Sequence, residues 1–307
     1  MTTDLSAVDV ANTALQADPK AAKTTKAYAK TVTDVLHAMN PAPPPPSSLL
    51  LGCSNNVGGG GSLDILTRLG AKITREDTAA AFGQLGVAGI KCVQIIQAGQ
   101  TAAADSRAYC FQVGGNEPYF VPVDPAVYFP QVAADVQALR GKYPSGRFAV
   151  PLLAYGWSGF GNVDDHGNYT WNGTTKPWVE WLVQYAPSLL TTATLWEVHP
   201  YGTRGLANMD LIRSQLSGHG AAQPFIVGED GWSTYGNSEQ AQADYLSARI
   251  AAITSRTDTA AWILYRAQDL VGQSNPAENN YGVERTNPDW SDGGPKIAFG
   301  VVQKAFA

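Results

Sequence analysis

The sequence predicts an α/β protein: a (β/α)8 barrel of the TIM type behind an N-terminal helical extension. Three observations lead there. Eight short, almost uninterrupted apolar runs follow a proline-rich spacer, amphipathic helical patterns separate most of them, and the whole set fits within residues 47–307. Strands buried on both faces read as continuous apolar runs, and their alternation with helices implies a parallel sheet covered by helices. Eight such units in about 260 residues have the number and size of a closed barrel. A doubly wound open sheet is the alternative that the same pattern allows.

In chain order, residues 4–39 carry apolar side chains at helical spacing: Leu5, Val8, Ala11 and Leu15, then Ala27, Val32, Val35 and Leu36. "ADPK" at 17–20 separates two helices, because proline disfavours helix in the residue before it. "NPAPPPPSS" (40–48) is a polyproline spacer that fits neither a helix interior nor a central strand. Residues 1–46 are therefore read as a helical arm and spacer, and 47–307 as the barrel. Strands are expected at 49–54, 71–75, 89–96, 108–113, 148–154, 194–199, 224–228 and 260–265. Helices are expected near 62–69, 77–86, 125–142, 177–186, 207–217 and 238–256, with a closing helix at 295–306. Between the third and fourth strands only "QAGQTAAADSR" (97–107) is available, so the crossover helix there should be short or missing.

Composition narrows the function classes. With 44% hydrophobic and 15% charged residues the chain can bury a sizeable core. A net charge of −5 without a basic run argues against nucleic acid as a partner. No apolar stretch reaches about 18 residues, so no membrane span is expected. The start, "MTTDLSAVDV", has neither the positive region nor the apolar core of a signal peptide, and the chain reads as soluble. Its location is otherwise open, extracellular and particle-associated settings included. The arm is compatible with packing across the barrel and with attachment to a larger assembly. Cys53, Cys92 and Cys110 each sit in an apolar run without metal-ligand spacing and read as buried free thiols.

Barrel active sites form at the C-terminal ends of the strands, so the strand ends matter most. The second strand ends in Arg75-Glu76-Asp77, and the fourth in Asn116-Glu117 followed by Pro118. The sixth ends in "EVHPYG", which supplies His199 and Tyr201; the seventh in "VGEDGWSTYG", which supplies Glu229 and Trp232; the eighth in Tyr265, Arg266, Gln268 and Asp269. One glutamate at a strand end is ordinarily a solvated turn residue. Two on one rim, each after an apolar strand and bracketed by Gly or Pro, point to a working pair. Retaining glycoside hydrolysis needs two carboxyls about 5–5.5 Å apart, one protonated to assist the leaving oxygen and one ionised to attack the anomeric carbon. Their pKa values must be pushed apart by neighbours, and Arg75, His199 and Tyr201 are suitable for that.

Each of these residues also has a plainer reading. His199 could be a hydrogen-bonded core histidine, and Arg75 could pair with Glu76 or Asp77. Trp157, Trp171 and Trp232 could be loop packing rather than sugar platforms, and Glu197, on the same strand face as His199, is a spare carboxylate.

The pattern resembles the retaining glycoside hydrolases of clan A, over about residues 49–307. In that clan an Asn-Glu-Pro after the fourth strand supplies the acid/base and a Glu after the seventh is the nucleophile. The resemblance implies Glu117 as acid/base, Asn116 as the residue that binds the sugar 2-hydroxyl, and Glu229, in "VGEDGWST", as nucleophile. "HPY" is similar to the His-x-Tyr of the sixth strand, whose tyrosine, here Tyr201, hydrogen-bonds the nucleophile; Arg75 matches the arginine of the second strand. The tail "YGVERTNPDWSDGGPKIAFGVVQKAF" is similar to the closing segment of several clan families. Two features depart from the clan. The aromatic of the eighth strand is usually Trp, whereas here it is Tyr265, followed by Arg266; and the short third connection, with the helical arm, is unlike typical members.

The expectation is a retaining O-glycosidase acting on a poly- or oligosaccharide, with no metal and no cofactor. Glu117 and Glu229 would be catalytic, and Asn116, Arg75, His199, Tyr201, Trp157, Trp232, Tyr265 and Arg266 would contact the sugar. Arg266 would suit an acidic sugar or a structural ion pair. The same residues would serve a transglycosylase, and a carbohydrate-binding barrel that had lost turnover should lack one of the two carboxylates. A phosphate-binding isomerase or metal-dependent hydrolase fits less well. The only Gly-rich loop, "GGGG" at 58–61, follows the first strand without a neighbouring Lys-Ser or Lys-Thr, and the four histidines are scattered.

Overall fold

The computed structural model describes residues 49–155, 162–289 and 291–307, together with Thr25. The expected helices of the arm, the polyproline spacer and Trp157 therefore lie outside the described residues. Eight parallel strands close into a barrel: β1 (Leu50–Cys53), β2 (Ile73–Glu76), β3 (Lys91–Ile96), β4 (Cys110–Val113) and β5 (Phe148–Leu152), then, after the hairpin β6 (Asn168–Trp171) and β7 (Thr174–Pro177), β8 (Leu195–Val198), β9 (Phe225–Asp230) and β10 (Thr259–Leu264). β10 pairs back onto β1, and the barrel strands stand in chain order around the ring. The open-sheet alternative is thereby excluded.

The helices on the outside are α1 (Leu63–Leu69), α2 (Phe82–Val87), α3 (Pro125–Lys142), α4 (Trp178–Tyr185), the short α5 (Leu189–Thr192), α6 (Gly205–Gly218), α7 (Glu239–Thr254) and α8 (Ile297–Phe306). Their ends follow local chemistry. Asp124 accepts a hydrogen bond from the Ala126 amide at 2.9 Å ahead of Pro125, a residue suited to the first helical turn. Ser238 caps α7 through the Ala241 amide. Between β3 and β4 the described chain makes only a one-turn 3-10 helix, Thr101–Ala103, which is the missing crossover helix that the short connection foretold. A second hairpin, β11 (Glu284–Thr286) with β12 (Asp292–Pro295), leads into α8.

The barrel interior is layered. Ile73, Val93, Cys110, Ala149, Leu195, Ile226 and Ile263, one from each of seven strands, form its apolar floor. Side chains two positions further along a strand share the same face. The layer above the floor is consequently polar, with Arg75 on β2, Gln112 on β4 and Glu197 on β8, all buried. Gly228 holds the matching place on β9; a Cβ there would meet Glu197 Oε1 at 2.0 Å, so glycine makes room for that carboxylate. The three cysteines are buried and unbridged. No helix among the described residues is long and apolar enough to cross a membrane.

Candidate active site

Two local distortions aim the glutamates. At the end of β4 the amides of Gly114 and Gly115 both donate to the Ile96 carbonyl at 2.9 Å, and Glu117 then adopts φ 46°, ψ 53° before Pro118. This left-handed backbone is uncommon for a residue with a side chain, and it turns the Glu117 carboxyl back over the barrel mouth. At the end of β9 the register with β10 slips, so that Val227 faces Trp262 but Asp230 faces Leu264. Three residues on β9 oppose two on β10, as in a bulge. Glu229 thus enters the cleft, while Asp230 points outward to Arg249 (3.0 Å), the Tyr245 hydroxyl (2.8 Å) and the Trp262 indole (3.1 Å).

The predicted residues converge here. Arg75 donates to Glu229, to Asn116 Oδ1 at 2.5 Å and to Gln112 Oε1 at 2.7 Å. It does not pair with its neighbours; Glu76 instead accepts the Val57 and Gly58 amides, tying down the start of the glycine loop after β1. The Tyr201 hydroxyl donates to Glu229 Oε2 at 3.0 Å. His199 sits below both glutamates, with Nδ1 2.8 Å from Glu117 and 3.7 Å from Glu229, and Nε2 against Glu197. Glu197 is 1% exposed, 4.0 Å from Arg75, and does not line the cleft. The spare carboxylate therefore supports the site from beneath.

Electrostatics separates the two glutamates. Burial raises the pKa of Glu117 above the ordinary carboxylate range, aided by the charge of Glu229 and opposed by His199 and Arg75. Burial would raise Glu229 too, but His199, Arg75 and Tyr201 outweigh it and hold this carboxyl below its ordinary value. Burial works against charge on His199 as well, yet Glu197, Glu229 and Glu117 prevail and push it up to about 10, so the ring is an imidazolium at neutral pH. The surroundings thus drive the two carboxyls in opposite directions, Glu117 toward its protonated form and Glu229 toward its ionised one.

Glu117, His199 and Glu229 each offer a ligand atom within 4.8 Å of the others, a spacing that could hold a cation. The Arg75 guanidinium is already bonded to Glu229, and a metal would have to displace it. The other such group among the described residues, Asp164, Asp165 and His166, is on the surface.

The cleft has a volume of about 450 Å³, within the usual range for small-molecule sites. Its aromatic wall is tyrosine: Tyr155, Tyr265 and Tyr281 surround Tyr201 with ring centroids at 5.5, 6.5 and 6.0 Å. Trp232 lies elsewhere. The Gln242 side chain donates to its carbonyl, and its ring packs on Tyr245 of α7 at 4.8 Å, away from the cleft lining. Trp171 and the exposed Tyr235 are likewise absent from that lining. Sequence reasoning missed Gln112, which fixes both Arg75 and, through Gly115, the glycine turn. It also missed Glu278, which lines the cleft and accepts a hydrogen bond from Tyr265 at 3.1 Å. Gln112 carried a signal, since it lies two residues before Gly114 on a buried strand. Glu278 carried none, because its loop has no periodicity.

No protein-family model matches the chain, and no curated protein matches it. Solved structures do. A family 39 glycoside hydrolase from Bacteroides cellulosilyticus superposes with a TM-score of 0.60 at 14% identity, over 83% of this chain and 62% of that one. A family 1 β-glucosidase from Exiguobacterium antarcticum gives 0.54 at 11% identity, over 78% and 84%. A family 2 β-galacturonidase from Eisenbergiella tayi gives 0.53 at 14% identity, over 80% of this chain but only 46% of that one, so the chain spans about half the length of this relative. At such identities the likeness is one of fold: the chain has the barrel of the glycoside hydrolases.

Proposed function

We propose that the protein is a retaining O-glycoside hydrolase acting on an oligo- or polysaccharide. The observation that carries this reading is the pairing of Glu117 and Glu229 on one rim, with carboxylate oxygens within 4.8 Å of each other and pKa values driven in opposite directions. Retaining enzymes hold their carboxyls about 5–5.5 Å apart, whereas inverting ones leave about 6.5–9.5 Å for a water. The glycosidases that share this barrel support the reading at the level of fold.

Glu117, protonated in its buried setting, gives its proton to the glycosidic oxygen as the bond to the anomeric carbon breaks. Glu229, kept ionised by Arg75, His199 and Tyr201, attacks that carbon to form a glycosyl-enzyme ester. Glu117, now a carboxylate, removes a proton from water, which attacks the same carbon and releases Glu229. Asn116, whose Oδ1 accepts from Arg75, hydrogen-bonds the sugar 2-hydroxyl in this reading.

The test uses two variants. Glu229→Gln should lower turnover on the order of 10³-fold or more while thermal melting stays cooperative. Glu117→Ala should regain activity in azide on a nitrophenyl glycoside, yielding a glycosyl azide with the configuration of the substrate. Unchanged hydrolysis by Glu229→Gln, or an inverted azide product, would overturn the assignment.

A further inference from the structure

Among the described residues, the buried cations are matched to carboxylates with one exception. Arg75 is held by Glu229, His199 by Glu117 and Glu197, Arg249 by Asp230, and Lys296 by Asp269. Arg266, the second residue after β10, is 8% exposed and lines the cleft, yet no ion pair among the described residues includes it. Its Nε is buried without an acceptor. The nearby carboxylates are engaged otherwise: Glu76 by the Val57 and Gly58 amides, Glu278 by the Tyr265 hydroxyl, and Asp269 by Lys296 and the Gly282 amide. The guanidinium is stationed over its neighbour, 5.6 Å from the Tyr265 ring centroid, so it borders the same aromatic wall as Tyr201.

We infer that Arg266 receives the carboxylate of an acidic sugar, and that the cleft is built for uronide-containing glycans. A buried charge without an ion-pair partner is costly, and a bound carboxylate meets the planar guanidinium fork with two charge-assisted hydrogen bonds that a neutral hydroxymethyl group cannot match. Glu76, Asp269 and Glu278 lie close enough to feel the charge of Arg266, but none forms an ion pair with it, and each is hydrogen-bonded elsewhere. This inference rests on the glycosidase reading for its chemistry but on Arg266 alone for its specificity.

The experiment compares nitrophenyl glucuronides and galacturonides, in both anomeric forms, with the glucosides and galactosides that differ only by a hydroxymethyl in place of the carboxylate. The wild-type protein should show the higher kcat/KM on a uronide. In Arg266→Met the uronide-to-neutral ratio should fall about 10- to 100-fold, the range expected for hydrogen bonds to a charged group, and Arg266→Lys should restore part of it. Thermal melting checks that both variants fold. A wild-type preference for neutral glycosides, or a ratio unmoved in Arg266→Met, overturns the inference while leaving the glycosidase reading intact. If the wild-type protein cleaves no glycoside, that reading fails by itself. Calorimetric titration with free glucuronate and galacturonate then decides this one: binding lost in Arg266→Met sustains it, and no binding to the wild type refutes it.

Discussion

At the scale of single residues, the site is a balance between burial and charge. The Tyr201 hydroxyl donates to Glu229 and so favours its ionised form. In the proposed mechanism Glu229 must be ionised and Glu117 protonated, hence a bell whose acid limb follows the lowered Glu229 and whose alkaline limb follows the raised Glu117. Tyr201→Phe should move the acid limb upward and leave the alkaline limb nearly in place; a profile shifted at neither end would deny the hydrogen bond its role. His199 makes a separate, structural prediction. Its folded pKa of about 10 lies above the ordinary 6.5, so its imidazolium stabilises the fold fully below pH 6.5, and that contribution is lost as pH rises through 10. His199→Gln lacks this titration. The gap in melting temperature between wild type and variant should therefore be wide at pH 6 and narrow toward pH 10, and a constant gap would mean a neutral ring.

At the scale of elements, the strand ends do the positioning, and a glycine tests it. Gly228 leaves room on β9 for Glu197; an added Cβ would come 2.0 Å from Glu197 Oε1 and 3.1 Å from His199 Nε2. Gly228→Ala should push Glu197 off His199, destabilise the fold by about 1–3 kcal/mol as overpacked cores do, and lower activity beyond what the lost stability explains. Gly141, in α3 with open space around it, is the control: Gly141→Ala should stabilise by roughly 0.5–1 kcal/mol. Activity equal in the two variants would show that the Glu197–His199 contact is dispensable. Much at this scale was legible in the sequence. All eight barrel strands fall where continuous apolar runs predict them, and Asn116, Glu117, His199, Tyr201 and Glu229 meet because parallel strands share one mouth. The β6–β7 hairpin escaped notice because Asn172-Gly173 is flanked by short, polar, half-exposed strands with little apolar alternation. The bulge at Gly228-Glu229 was equally invisible, since it shows only in the pairing with β10.

At the scale of the whole molecule, closure decides which parts the barrel needs. Both neighbours of β1 are present among the described residues: β10 pairs with it along all of Leu50–Cys53, and β2 at Gly52–Ile73. On the outside, α8 packs between α1 and α7; Phe306 reaches Trp262 of β10 with ring centroids 6.3 Å apart and also abuts Gly70. Among the described residues, the seam where first and last strands meet is thus covered by α8. The sequence separated residues 1–46 by composition, since a run of prolines cannot join a ladder or a helix interior, but composition says nothing about what that arm touches. A truncation tests it. Removing residues 1–46 should leave a cooperative barrel whose melting temperature moves by less than the roughly 2–4 °C that about 1 kcal/mol produces at this size. Turnover of the best glycoside should be retained, because among the described residues the side chains bonded to Glu117 and Glu229, those of Arg75, His199 and Tyr201, lie on β2 and just after β8. Differential scanning calorimetry and kcat/KM on the truncated chain measure both quantities. A large loss of melting temperature would mean that the arm is part of the barrel's packing. Retained stability and turnover would mark it as a tether, free to join the enzyme to something larger.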